Sequence, residues 1–438
     1  MRIHAGIGLL LGATAIAQDV TPPDGFRALF NGRDLTGWWG AGTEDPRGFQ
    51  ALSTEERAQK VGRSLADIHE HWTVEDGVLV NDGHGLFLTT LREFGDFELR
   101  LEYRTVALAD SGIYLRGIPQ VQIWDYTEAG GKWELGANRG SGGLWNNQAG
   151  APGKDPAVLA DRPFGEWNAF RILMIGEYVT VDFNGQRVVD RARLENYFDR
   201  ARPVPARGPI QLQTHGGEIR WGNVWVRDVD ADEADEFLRR LSDEREGAGK
   251  FLELVEGADL AGWRGAVESC DVSDGTLLWR AGEGGTLFTE REFGDFVVEF
   301  EFQLPPGGNN GLAIRYPGEG TPAYSGMCEL QILDDDHESY AKLDPRQYHG
   351  SAYGMVAAER GYLRPAGSWN HELVRVEGSR VRVELNGTRI LDADLASVKE
   401  FLDDKPHPGL ERSRGAFGFC GHGDSVRFRR VRIRELGE

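Results

Sequence analysis

The sequence predicts an all-β protein, two tandem jelly-roll β-sandwiches joined by a short acidic helical linker. Three observations carry that prediction. The chain presents one ordered set of motifs twice, its apolar residues alternate with polar ones at a period of two, and 59 of its 438 residues are glycine. Arg92-Glu93-Phe94-Gly95-Asp96-Phe97 returns as Arg291-Glu292-Phe293-Gly294-Asp295-Phe296. Asp110-Ser111-Gly112-Ile113-Tyr114-Leu115-Arg116 parallels Asn309-Asn310-Gly311-Leu312-Ala313-Ile314-Arg315, and Gln122-Ile123-Trp124-Asp125 parallels Gln331-Ile332-Leu333-Asp334. Trp167-Asn168, Asn184-Gly185 and His215-Gly216 recur as Trp369-Asn370, Asn386-Gly387 and His422-Gly423. Two homologous domains follow, 24–229 and 251–438.

Residues 1–17 read as a secretory signal: Arg2 gives a positive start, Ile7 to Ile16 is apolar, and Ala15-Ile16-Ala17 suits cleavage. The mature protein is therefore expected in a periplasm or outside the cell. Within the first domain, Phe97 to Tyr103 alternates as a half-buried strand should, as does Phe296 to Phe302 in the second. Val179 to Phe183, Asn184-Gly185 and Gln186 to Val189 read as a hairpin, because Asn-Gly suits a type I′ turn; Val381 to Leu391 repeats it. Residues 39–71 have no counterpart in the second domain, and Thr54 to Ile68 reads as a helix in an excursion over one edge. Residues 230–250 carry eight acids against four bases, with Phe237, Leu238 and Leu241 at helical spacing. The expected element is a helix ending at Gly247 that serves as a solvated spacer. Cys270, Cys328 and Cys420 are too few for a disulfide framework and read as small buried hydrophobes.

Composition excludes several functions. Lys and Arg total 49 against 70 Asp and Glu, and a net charge of −21 repels phosphate backbones. No apolar run reaches the roughly 20 residues a spanning helix needs. Neither a phosphate-binding loop, a nucleophile elbow nor a zinc helix motif is present. No cofactor is required by the sequence, and a divalent-cation requirement is left open. Asp334-Asp335-Asp336-His337 lacks calcium-loop spacing and reads as a solvated turn.

Strand alternation nominates the side chains on the open face of each sheet. With Ile210, Leu212 and Thr214 on one side, Gln211, Gln213 and His215 share the other. The same logic pairs Tyr114 with Arg116, and groups Gln120, Gln122 and Trp124. In the second domain it selects Arg315, Glu329 with Gln331, and Gly418 with Cys420 and His422. Amides, a guanidinium and an indole on one face suit sugar recognition, since hydroxyls take paired hydrogen bonds and a pyranose stacks on a flat ring. Trp38, Trp263, Trp167 and Trp369 recur and read as framework, whereas Trp39, Trp124, Trp133 and Trp225 have no aromatic counterpart. Nine of the twelve tryptophans precede residue 230, which favours the first domain as the binder.

Together with Phe26-Arg27-Ala28-Leu29-Phe30-Asn31-Gly32 and Asp34-Leu35-Thr36-Gly37-Trp38, these motifs resemble the 3-keto-disaccharide hydrolase domain family. The resemblance covers nearly all of the first domain and, more loosely, the second. It implies a concanavalin A-like sandwich, export, and cleavage of 3-keto-glycosides made by a separate sugar oxidoreductase. A C3 ketone acidifies the C2 proton, so cleavage needs one base, one acid for the leaving oxygen, and donors for the enolate. Arg116 or Arg315 with Gln122 or Gln331 are then expected as donors, and Tyr114, Trp124, Gln211 and Gln213 as sugar contacts. His215 or His422 moves the proton. Glu329 is the best carboxylate base in the second domain; the matching Gln120 cannot titrate, so the first must use Asp110, Asp125 or His215, or only bind. Arg116 is expected beside His215, and Arg315 beside His422. Two alternatives stand: a non-catalytic, lectin-like pair, or a two-carboxylate glycosidase with acids about 5–9.5 Å apart.

Overall fold

The computed structural model describes residues 21–247 and 250–437, so the expected signal at 1–17 lies outside the described residues. In Phe97–Thr105 the apolar members Phe97, Leu99, Leu101 and Tyr103 are buried while Arg100, Glu102 and Arg104 are partly exposed. This strand sits at the centre of an eight-stranded antiparallel sheet. Its neighbours are Asn168–Ile175 on one side and Ile219–Asp228 on the other. A five-stranded sheet packs against it, in the order Trp38–Ala41, Phe87–Thr90, Gln211–Leu212, Asp110–Leu115 and Ile118–Trp124. Ile113, Val121, Ile123 and Leu212 from the smaller sheet meet Leu99, Phe170, Ile172 and Trp221 from the larger one in a single core. Each such side chain stabilises the sandwich by roughly 1.5–3 kcal/mol on burial.

The second domain repeats this order with its own eight- and five-stranded sheets and a separate core. Both Asn-Gly hairpins form, and Asn184, Gly185, Asn386 and Gly387 all take positive φ, as a type I′ turn requires. The all-β, double-sandwich reading therefore holds. The 39–71 excursion holds helices Pro46–Gln50 and Thr54–His71. The longer one starts on a capping box between Ser53 and Glu56, runs three residues past the expected end, and buries Ile68 in the first core.

The linker forms helix Ala231–Glu246, capped by Asp230 and ended by Gly247, but it is not a solvated spacer. Ala234, Leu238 and Leu241 pack on Ile175 and Tyr178 of the first sandwich. Its acids reach both domains: Glu233 and Glu244 pair with Arg227 and Arg191 of the first, while Asp235 pairs with Arg364 at 2.8 Å, Asp243 with Arg432 at 2.6 Å, and Glu246 with both Arg375 and Arg434 at 2.8 Å in the second. An acidic helix is thus a bracket between domains, because the second sheet offers it a row of arginines that periodicity within the linker cannot reveal. All three cysteines are free and buried, and burial pushes the Cys270 and Cys328 thiols up to about 12. They are inert apolar filling. Trp38 and Trp263 are core residues whose indoles donate to Leu29 and Leu254 carbonyls, whereas Trp167 and Trp369 are half-buried beneath Arg104 and Arg429.

Candidate active site

The outer face of the first five-stranded sheet carries a cavity of about 410 Å³. Because Ile113, Val121, Ile123 and Leu212 point into the core, the intervening Tyr114, Gln120, Gln122, Trp124 and Gln213 form its floor. Glycine at 112 makes this possible: a Cβ there would lie 2.9 Å from the Gln120 amide carbon and 3.0 Å from Gln213 Oε1. Trp124 is held by its indole N–H on the Gly140 carbonyl (2.8 Å) and meets Trp145 edge-on at 5.0 Å. Thr43 from the excursion anchors the Tyr114 hydroxyl (2.8 Å), and Tyr197 and Leu135 form a half-exposed rim.

Asp110 organises the polar corner. Its Oδ1 accepts from Gln122 (2.8 Å), and its Oδ2 faces the Lys132 ammonium and, at 3.1 Å, His215 Nδ1. Gln120 donates in turn to Gln122. Burial pushes the Asp110 carboxyl up, but the hydrogen bonds from His215 and Lys132 outweigh it and hold the group below its ordinary range. The bond to Asp110 raises the His215 imidazole above its ordinary value. Since Nδ1 faces Asp110, Nε2 is the nitrogen left for a substrate. Burial pushes the Tyr114 hydroxyl up to about 12, so it remains a proton donor across the physiological range. Gln213 donates weakly to Tyr114 (3.4 Å), while its buried Oε1 has no partner among the described residues. The cavity thus offers an imidazole held by a carboxylate, an ammonium, amides and two indoles.

Tyr114, Gln122, Trp124, Gln213 and His215 meet here as expected, but four expectations are corrected. Arg116 is buried away from the cavity: it donates to the Gly95 carbonyl (2.8 Å), pairs with Asp96 (2.6 Å) and reaches the Pro205 carbonyl. Arg315 repeats this with Gly294 (2.9 Å) and Asp295 (2.7 Å), so neither arginine sits beside its histidine or is free for a substrate. The reason is a bulge. Strand pairing shifts between Ile113 and Leu115 and between Ala313 and Tyr316, and both arginines take positive φ (53° and 48°), which ends the alternation that nominated them. Asp125 accepts from the Leu108 and Thr127 backbone N–H groups and braces its own turn. Gln211 is buried and donates to Thr89 Oγ1 (3.0 Å). Alternation missed Lys132, Trp145, Tyr197 and Thr43, which arrive on loops where period two does not apply. The expected solvated turn at Asp334–His337 is also corrected: Asp334 accepts from the Gly307 N–H and the buried Asp335 from Arg360, both distant in the chain, because the turn packs between two loops.

In the second domain His422 Nε2 meets Glu329 Oε1 at 3.2 Å, which raises the imidazole. Glu329 lies across Gly311, where any side chain would collide with it, and Gln331 donates to Asn309 at 2.6 Å. Beside this pair the face is apolar: Phe288, Ala313, Tyr316, Ala416 and Cys420 form one cluster.

The family model of the 3-keto-alpha-glucoside-1,2-lyase-like domain matches residues 25–227 and 250–434. A 3-keto-disaccharide hydrolase of Bacteroides thetaiotaomicron is 26% identical over 230 residues, which are 43% of this chain and 79% of that protein. Among solved structures, a putative glycosyl hydrolase from Parabacteroides distasonis matches at 26% identity and TM-score 0.38, over 43% of this chain and 100% of that one. A carbohydrate-binding module from Bacillus subtilis matches at 14% identity and TM-score 0.27, over 40% and 96%. The chain belongs to the family of 3-keto-alpha-glucoside-1,2-lyase-like domains and carries two of them in tandem.

Proposed function

We propose that the first-domain cavity cleaves 3-keto-glycosides, 3-keto-disaccharides among them, by elimination and water addition. His215 Nε2 takes the C2 proton, and the C–H electron pair moves into the enolate of the C3 ketone. The enolate collapses to a C1–C2 double bond as the C1–O pair leaves with the aglycone, which gains a proton. Water then adds, its oxygen bonding to C1 and a proton returning to C2, so the products are a free 3-keto sugar and an alcohol. No electron acceptor is consumed. Lys132 and the Tyr114 hydroxyl supply donors for the enolate and leaving oxygens, while Gln122, its N–H groups spent on Asp110 and on backbone carbonyls, holds that carboxylate in place and Trp124 and Trp145 give the ring apolar faces.

The observation that carries this reading is the His215–Asp110–Lys132 cluster at the polar corner of a tryptophan-lined cavity, with His215 open to solvent. The ketone itself must come from a separate sugar oxidoreductase, and an exported protein meeting that product in a periplasm or outside the cell fits the same reading. The test incubates purified protein with a 3-keto-glucoside and with the parent glucoside. Release from the ketone alone supports the proposal; release from the parent points to a glycosidase, and binding without release to a lectin.

A further inference from the structure

We infer that the second sandwich serves as a clamp that fixes one wall of the first domain's cavity. This deepens the reading of that cavity as the sugar site and rests on it. The wall is Tyr197, the cavity-lining residue of the segment 194–206 that leaves the strand Gln186–Arg193 and carries it to the rim. Within the first domain Leu194 and Val204 are buried in the core, Glu195 N–H donates to Asn147 Oδ1 (2.9 Å) and Arg116 reaches the Pro205 carbonyl (3.4 Å). Asn196 donates to the Pro203 carbonyl (3.2 Å) and accepts from Phe198 N–H (3.1 Å), while Arg200 holds Glu195 and the Asn146 carbonyl.

The second domain adds further ties to the far end. Tyr362 donates its hydroxyl to the Val204 carbonyl (3.0 Å) and accepts from Arg47 (3.3 Å), which also donates to the Pro203 carbonyl (2.6 Å). Glu359 takes a forked pair from Arg202 at 3.0 and 3.2 Å, and Ala206 packs on the second core. One tyrosine therefore joins the segment to Arg47, in the excursion that also places Thr43 on Tyr114.

The internal repeat shows that these contacts belong to the second copy alone. The Tyr362 carbonyl accepts from Asn386 as the Ala160 carbonyl accepts from Asn184. Glu359 N–H donates to Ile390 as Ala157 N–H donates to Val188. Tyr362 and Glu359 thus occupy the places of Ala160 and Ala157. Alanine has no group that could reach a neighbouring domain; tyrosine and glutamate do, and both are spent on the segment that carries the wall. The second domain has an apolar cluster on its own outer face, yet it carries two polar side chains aimed at the first.

The experiment uses the full chain with Tyr362→Phe, Glu359→Ala, and both together. Tyr362→Phe keeps the ring and removes one hydroxyl, so folding is retained. Losing a hydrogen bond to the segment that carries the wall should raise KM for the 3-keto-glucoside about 3–10-fold while kcat changes by less than about twofold. Amide hydrogen exchange in 196–206 should quicken in the double variant, with exchange in the strands unchanged. Exchanging the partners, Arg202→Glu with Glu359→Arg, should restore KM and protection together. Unchanged KM with unchanged exchange in 196–206 would overturn the inference. If the wild type does not cleave the ketone, the site reading fails, but the exchange measurement still decides whether the clamp exists.

Discussion

At matching places on the two smaller sheets, Tyr114, Gln211, Gln213 and Thr89 of the first domain stand where the second has Ala313, Gly418, Cys420 and Phe288. Phe288 packs with Ala313, Tyr316 and Cys420 into an apolar layer. Gly418 cannot be changed back, because a Cβ there would collide with the Leu287 carbonyl. Both faces nonetheless keep a histidine on a carboxylate, from different strands. In the first, Asp110 serves and the neighbouring strand offers Gln120; in the second, Glu329 serves and the other strand offers Asn309. The lesson is that a histidine–carboxylate pair does not make a site. What distinguishes the first face is the open, amide- and indole-lined space above the pair.

The comparison can be broken by moving the chemistry. His215→Ala should lower 3-keto-glucoside turnover by roughly 10²–10⁴-fold, the range for losing a positioned acid–base group. His422→Ala and Glu329→Gln should stay within about twofold, and a loss as large as that of His215→Ala would transfer the activity to the second domain. Next in size are the buried arginines. Arg116→Ala strands the largely buried Asp96 and should cost about 3–5 kcal/mol in denaturant unfolding of the first domain, whereas Arg315→Ala, whose partner Asp295 is nearly half exposed, should cost less in the second. If Arg116→Ala instead raised KM with stability intact, the buried role would be wrong.

Two smaller effects sharpen the contrast. Trp145→Ala removes the edge-on partner of Trp124 and should weaken sugar binding by about 1–2 kcal/mol in titration calorimetry. His215 works as a base only when neutral, and Asp110 raises it above its ordinary 6.5, so kcat/KM should climb with pH through that raised value. Asp110→Asn removes the hydrogen bond that raises it, so the acid limb of the pH–rate profile should move to lower pH. A limb that stays put would separate His215 from Asp110.

Much of the cavity was legible in the chain because strands impose a two-residue rule. Gln122, Gln213, Tyr114 and His215 follow it and are found together. Arg116 and Arg315 obey the rule in sequence and break it in space, since a positive φ at the bulge turns each away from the sheet face into the Gly-Asp turn beside it. Lys132, Trp145 and Tyr197 had no periodicity to betray them. Trp225, flanked by the inward-pointing Val224 and Val226, is half-buried in a groove on the larger sheet with Asn223 and Arg171.

The amino-acid order alone determined the doubled architecture, the hairpins, the excursion helix and the inert cysteines, because each depends on neighbours within a few residues or on a repeat visible in the text. Which histidine overlooks a cavity, which arginines are structural, and that an acidic helix brackets the two sandwiches were decided by tertiary packing. Those outcomes rest on groups distant in the chain, such as Asp235 with Arg364 and Tyr362 with Val204, whose meeting no local pattern encodes.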